Sequence, residues 1–247
     1  CESKIADLKT ENVLTSVAID LLPAVHYEIL RLTFKILISA ITYRTSQVNV
    51  REVFEGDLLK HINLIFEHAK YYGSAIFNKA VSAVTAALNR EPTYIPAIKQ
   101  AGTLNVILDM LNDIPEDADA ICTIPLLLSA FSLNTNCFDD IKNNDAYLKL
   151  LSTLTNGKYT KSITPEIAAI LGKDVNEFMR HHPDVRETFV NYFISFLDGL
   201  KQRVENDTAF STDEKDENED YALVLSVSNV FRAIGEMIGH NVDHGRL

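Results

Sequence analysis

The stretch Ala80-Val81-Ser82-Ala83-Val84-Thr85-Ala86-Ala87-Leu88-Asn89-Arg90 sets Ala80, Val84, Ala87 and Leu88 at intervals of three and four residues. Those intervals bring side chains onto one face of an α-helix and are foreign to the two-residue period of a strand. The same spacing recurs upstream at Ile29, Leu32, Ile36, Leu37 and Ala40, with Glu28, Arg31 and Lys35 expected on the opposite side, and at Leu58, Ile62, Ile65 and Phe66. Downstream it returns at Val185, Phe189, Tyr192, Phe193 and Phe196. Alternating apolar runs bounded by turn dipeptides are almost absent, so the chain reads as all-α, about a dozen helices joined mostly by short loops.

Punctuation agrees with that count. Thr164-Pro165-Glu166 and His182-Pro183-Asp184 read as helix starts, where proline's missing N–H costs nothing. Gly56, Gly102 and Gly157 fall between apolar-periodic stretches, where a left-handed backbone is needed. Displacing the chain by 43 residues lays Ala87-Leu88 on Ala130-Phe131, Ile98-Lys99 on Ile141-Lys142, Leu104 on Tyr147, Ile107-Leu108 on Leu150-Leu151 and Leu111 on Leu154. A shift of 46 relates Gly56, Leu58, Ile62 and Ile65 to Gly102, Leu104, Leu108 and Leu111. Both periods lie in the roughly 40–47 residue range of armadillo and HEAT units, which stack into an α-solenoid. Chance coincidence among common Leu and Ile residues is the competing explanation.

The 247 residues are 47% hydrophobic and 23% charged, an ordinary globular balance with ample material for a core. The longest apolar run, Ile29 to Ile41, is broken by Arg31 and Lys35, which argues against a membrane span. A formal charge of −11 disfavours nucleic acid, whose binding rests on Lys and Arg displacing counterions. Eight acids and one base crowd residues 205–220 without apolar periodicity, so this segment is expected to be an acidic mobile loop. It would separate helical repeats over residues 1–204 from a continuing helix over 221–247, whose buried face is expected at Tyr221, Leu225, Ser228, Val230, Phe231, Ile234 and Ile238 and whose end frays after Asn241. The chain opens Cys1-Glu2-Ser3-Lys4, without an initiator Met or signal segment, and reads as a fragment of something longer. Cys1, Cys122 and Cys137 are odd in number and lack Cys-x-x-Cys spacing, which fits a reducing cytoplasmic or nuclear compartment.

Legible reaction chemistry is missing. Nine scattered glycines form no phosphate loop, and no Gly-x-Ser-x-Gly, His-Glu-x-x-His or kinase motif occurs. The run Asp213 to Asp220 lacks the turn glycine of a calcium loop and has Val224 where its closing glutamate would stand. His61 and His68 are two helical turns apart, about 10 Å, too far to share one ion. Cys122, in an apolar context, reads as a small buried hydrophobe, and His181-His182 as helix-end residues. No catalytic, cofactor-binding or metal-binding role is assigned to any residue.

Three segments carry a resemblance. Asn89-Arg90-Glu91-Pro92 with a later Ala101-Gly102, Ile124-Pro125-Leu126-Leu127-Leu128-Ser129-Ala130-Phe131-Ser132-Leu133-Asn134, and Leu171-Gly172 followed by Val175-Asn176-Glu177-Phe178-Met179-Arg180-His181-His182-Pro183 stand in that order. Together they resemble the N-terminal region of the giant HECT-type ubiquitin ligases of the HUWE/Tom class. Asn176 stands in place of an acid, Phe178 of a Leu, and Cys137 where that family tends to have Gly. The resemblance implies an armadillo-like solenoid within a very large ring-forming chain whose catalytic Cys lies in a HECT domain far beyond Leu247. The partners it implies are ubiquitination substrates and other solenoid segments of the same chain. Pro92, Gly102, Pro125, Leu133, Asn134, Arg180, His181 and Pro183 transfer only as family-marking positions, with structural work expected. Pro125 should sit in a first helical turn, Asn134 at a helix boundary, and Arg180 against carboxylates or carbonyls. The alternative is a free-standing armadillo adaptor for peptides, against which the lack of any Trp counts.

Overall fold

The computed structural model describes residues 10–43, 49–54, 57–159, 161–206 and 224–237. Its α-helices are α1 (Thr10–Thr42), α2 (Val50–Phe54), α3 (Leu58–Glu67), α4 (Ala69–Tyr72), α5 (Ser74–Arg90), α6 (Ile95–Gln100) and α7 (Thr103–Met110). They continue with α8 (Ala118–Phe131), α9 (Thr135–Asn143), α10 (Ala146–Leu151), α11 (Pro165–His181), α12 (Arg186–Asn206) and α13 over residues 224–237. No strand occurs among the described residues, and the architecture is an all-α solenoid.

One row of long helices organises it. α1 packs on α5, α5 on α8 and α8 on α11, while α3 and α7 pair in a neighbouring row. α5 can be flanked on two sides because its buried positions alternate large and small, with Ile76, Phe77, Val81, Val84 and Leu88 interspersed with Ala80, Ala83 and Ala87. Small residues let the axes approach while the larger ones fill the space between them. Ser74, Ala118 and Pro165, the first residues of α5, α8 and α11, are 44 and 47 residues apart, close to the 43- and 46-residue shifts read from the sequence, whereas the longer α1 starts 64 residues ahead of α5.

Side chains also clamp neighbouring units at that interval. Lys99 pairs with Asp140 at 2.5 Å, and Lys142, one repeat on, pairs with Asp184 at 2.5 Å. Asp113 is gripped from both sides, by Lys70 and by Lys158 at 2.6 Å. The Tyr159 hydroxyl donates to the Ile114 carbonyl at 3.1 Å.

Three expectations are corrected. In α1 the buried face is Phe34 and Ile41 with Leu30, Leu37 and Ile38 beside them, whereas Ile29 (55%), Leu32 and Ile36 (70%) stand exposed. The helix has two apolar faces, and only one meets α5. Pro125 is not in a first turn, since α8 runs through it from Ala118 to Phe131. Asp117 already caps that helix by accepting from the Ala120 N–H, and the buried proline ring contributes to the core, so packing against α5 and α11 offsets the lost N–H. In α13, Phe231 is exposed, and Val230, Ala233 and Met237 make the buried face. Gly56, the acidic stretch from 207 onward, Tyr221 and the end after Asn241 lie outside the described residues.

Candidate functional site

Among the eight marked positions, the second and third segments meet in space. Asn134 caps α9, its side-chain oxygen accepting from the N–H groups of Asn136 at 3.1 Å and Cys137 at 3.3 Å. That cap fixes the start of the helix that carries Phe138, whose ring stacks on His182 with centroids 4.0 Å apart and planes 14° apart. Phe178 lies against both rings, and Tyr147 stacks on Phe178 at 3.7 Å. The result is an aromatic seam joining α9 and α10 to the end of α11. Pro183 opens a 3-10 turn that leads into α12, and the buried Val185 closes it.

Arg180 and His181 lie on the outer side of the seam. Both reach Glu177 one turn back, Arg180 at 2.5 Å and His181 Nε2 at 3.1 Å. Leu133 is exposed just before the Asn134 cap. The first segment is held by different partners. Pro92 opens a 3-10 turn behind Glu91, and Arg51 bridges Glu91 at 2.5 Å and the Thr93 hydroxyl at 2.9 Å. Gly102 adopts φ +82° at the start of α7, a backbone that side-chain-bearing residues resist. Lys99 links this region to α9, the helix that Asn134 caps, by donating to the Asn136 carbonyl at 2.9 Å.

The electrostatics do not favour a nucleophile. Burial pushes the half-buried Cys122 thiol up to about 11, and Asp174 and Asp119 push the same way. The buried Cys137 thiol is also raised, again chiefly by burial. Thiolate is the reactive form, so both thiols are poorly reactive at neutral pH. Burial likewise raises Asp174 and lowers His182, the neutral form of each being favoured. His61 and His68 are exposed residues of α3 and of its C-terminal end, and no group of three or more His, Cys, Asp or Glu able to hold a metal occurs among the described residues. No described helix is long and apolar enough to cross a membrane.

The family profile described as Domain of Unknown Function (DUF913) matches residues 3–240. The chain belongs to the DUF913 family. This DUF913 chain is 27% identical over 214 residues to the E3 ubiquitin-protein ligase ptr1 of Schizosaccharomyces pombe, covering 85% of the chain and 7% of the ligase. It is 28% identical over 174 residues to the Arabidopsis thaliana ligase UPL1, with 69% of the chain and 5% of the relative covered. With the mouse ligase HUWE1 it shares 26% over 161 residues, 61% of the chain and 4% of the relative. The DUF913 chain therefore spans a small fraction of each of these relatives. The resemblance carried by the three segments is borne out, since HUWE1 and TOM1 ligases are among the relatives.

The sequence reading missed Gly172, on which α13 rests, and the Phe138–His182 stack. The Leu171-Gly172 pair in the third segment was the available signal for the first, because a glycine inside an apolar helical pattern marks close backbone approach. Nothing local announces the second, whose partners are 44 residues apart.

Proposed function

We propose that this chain is a non-catalytic, armadillo-like scaffold segment of a giant HECT-type E3 ubiquitin ligase, acting in the cytoplasm or nucleus. Within such a parent it contributes to a ring-like architecture and to recruiting substrates for ubiquitination. The observation that carries the reading is that its curated relatives are E3 ubiquitin-protein ligases of which it spans only a few per cent. The outward stripe of α1 supports the architectural part. Val25, Ile29, Leu32 and Ile36 repeat at helical spacing on the side away from α5, so the row of helices presents a second apolar face suited to a further solenoid segment of the same parent. The raised thiols of Cys122 and Cys137 fit a segment without transfer chemistry.

The test has two arms. Given activating enzyme, conjugating enzyme and ubiquitin, the isolated chain should form no thioester. Deleting it from a full-length parent should lower substrate ubiquitination while leaving ubiquitin loading of the HECT cysteine intact. A thioester on Cys122 or Cys137 would overturn the proposal, as would a deletion that leaves substrate ubiquitination untouched.

A further inference from the structure

A cleft of about 510 Å³ runs between two adjacent units, bounded by the end of α3, by α4 and by α7. Val106 and the edge of Met110 contribute apolar surface to it, with Phe66 buried behind them, and Tyr71 stands at its edge with 86% of its surface exposed. An aromatic ring so open to water, beside an apolar floor, costs solvation in the free chain and is the kind of group that anchors interfaces. Three carboxylates line the same cleft. Asp113 is occupied by Lys70 and Lys158, whereas Glu67 and Asp109 form no ion pair with any described residue. Lys70 is held on Asp113 and is not free to satisfy them.

We propose that this cleft is a docking site for a basic peptide segment that presents an arginine followed by an apolar residue. The charge complementarity is local, through Glu67 and Asp109, and general, through a chain charge of −11. A guanidinium stacks on the Tyr71 face and donates two parallel hydrogen bonds to a carboxylate, which a lysine ammonium cannot do. The adjacent apolar side chain covers Val106 and Met110. The volume falls within the roughly 300–1,000 Å³ of small-ligand sites, enough for two side chains of an extended segment. This inference does not depend on the ligase reading, because binding is measured without any ubiquitin machinery.

The experiment is fluorescence anisotropy of the 247-residue chain with a labelled nonapeptide of alternating Arg and Leu, and with versions carrying Lys or Glu in place of Arg. The Arg peptide should bind saturably, the Lys version about fivefold more weakly, and the Glu version not at all. Tyr71→Ala and Asp109→Asn, both at exposed positions, should each weaken binding about tenfold with unchanged melting. Tyr71→Phe should stay within about twofold, and Tyr43→Ala, an exposed tyrosine at the end of α1, should have no effect. Failure of the Arg peptide to bind, or binding indifferent to both Tyr71→Ala and Asp109→Asn, would overturn the proposal. Self-association of the chain that Tyr71→Ala abolishes would assign the cleft to a second copy and overturn it equally.

Discussion

Gly172 of α11 passes directly beneath the main chain of Ala233 in α13, so close that a β-carbon at position 172 would lie 2.7 Å from the Ala233 Cα. The neighbour is backbone and cannot swing aside. The contact holds the last described helix onto the row, assisted by Asn229, whose side-chain amide donates to the Ile163 carbonyl at 3.2 Å. Gly172→Val should therefore undock α13 at a cost of about 1–3 kcal/mol, the usual range for overpacking. Amide exchange would show it as faster exchange across 224–237 with α5 unchanged. Equal protection in variant and parent would mean that the two helices separate more easily than the geometry implies.

Asn134 serves two N–H groups at the start of α9. Asn134→Ala leaves the Asn136 N–H without its acceptor and the Cys137 N–H with the Asn134 carbonyl alone, and should cost about 1 kcal/mol, read as a lower midpoint in urea at constant slope. Asn134→Asp keeps an acceptor and should recover most of the loss. If Asp is as damaging as Ala, the residue matters for something other than capping.

Asp113 links three units through its two lysines. Lys158 first, then Lys70, holds its carboxyl below the usual carboxylate range. The folded state thus binds fewer protons than the unfolded one. The resulting stability is complete above the ordinary carboxylate value of about 3.9 and is lost as pH falls through the lowered one. Asp113→Asn should make the acid side of the melting profile shallower. At pH 7 it should change stability by less than about 1 kcal/mol, because the site is open to solvent and screened. A steep acid side in the variant would place the sensitivity elsewhere.

His182 behaves in the same sense for a different reason. Burial beside Phe138 and Phe178 lowers its pKa, Asp184 opposes the shift, and His181 adds to it. Its contribution is fully present above the ordinary histidine value of about 6.5 and is lost as pH falls below that value through the lowered one. His182→Phe preserves a flat ring on Phe138 and should flatten the melting temperature between about pH 7 and pH 5. An unchanged slope would show that protonation of His182 does not strain the seam.

Helical class, the position of most helices and the repeat interval were all legible, because each rests on short-range spacing that one helix or two adjacent units impose. The stripes at Ile62, Ile65 and Phe66, at Ala80, Val84, Ala87 and Leu88, and at Val185, Phe189 and Phe193 are the buried ones. In α1 spacing points to the wrong stripe because the helix carries two apolar faces, and periodicity alone cannot say which of them has a partner. Pro125 was misread because a helix-starting proline and a helix-interior one have the same local appearance, and what tolerates the second is tertiary packing on both sides of α8. The Phe138–His182 stack, the two lysines on Asp113 and the cleft beside Tyr71 all depend on which units touch, which no single stretch of chain encodes.

The central claim, that this solenoid is a non-catalytic piece of a giant ligase, is tested most directly by reading the parent transcript through to its stop codon. The account predicts an open frame that runs on far past Leu247 to a HECT domain with its C-terminal cysteine. A stop codon shortly after Leu247 would contradict it and leave a free-standing helical adaptor.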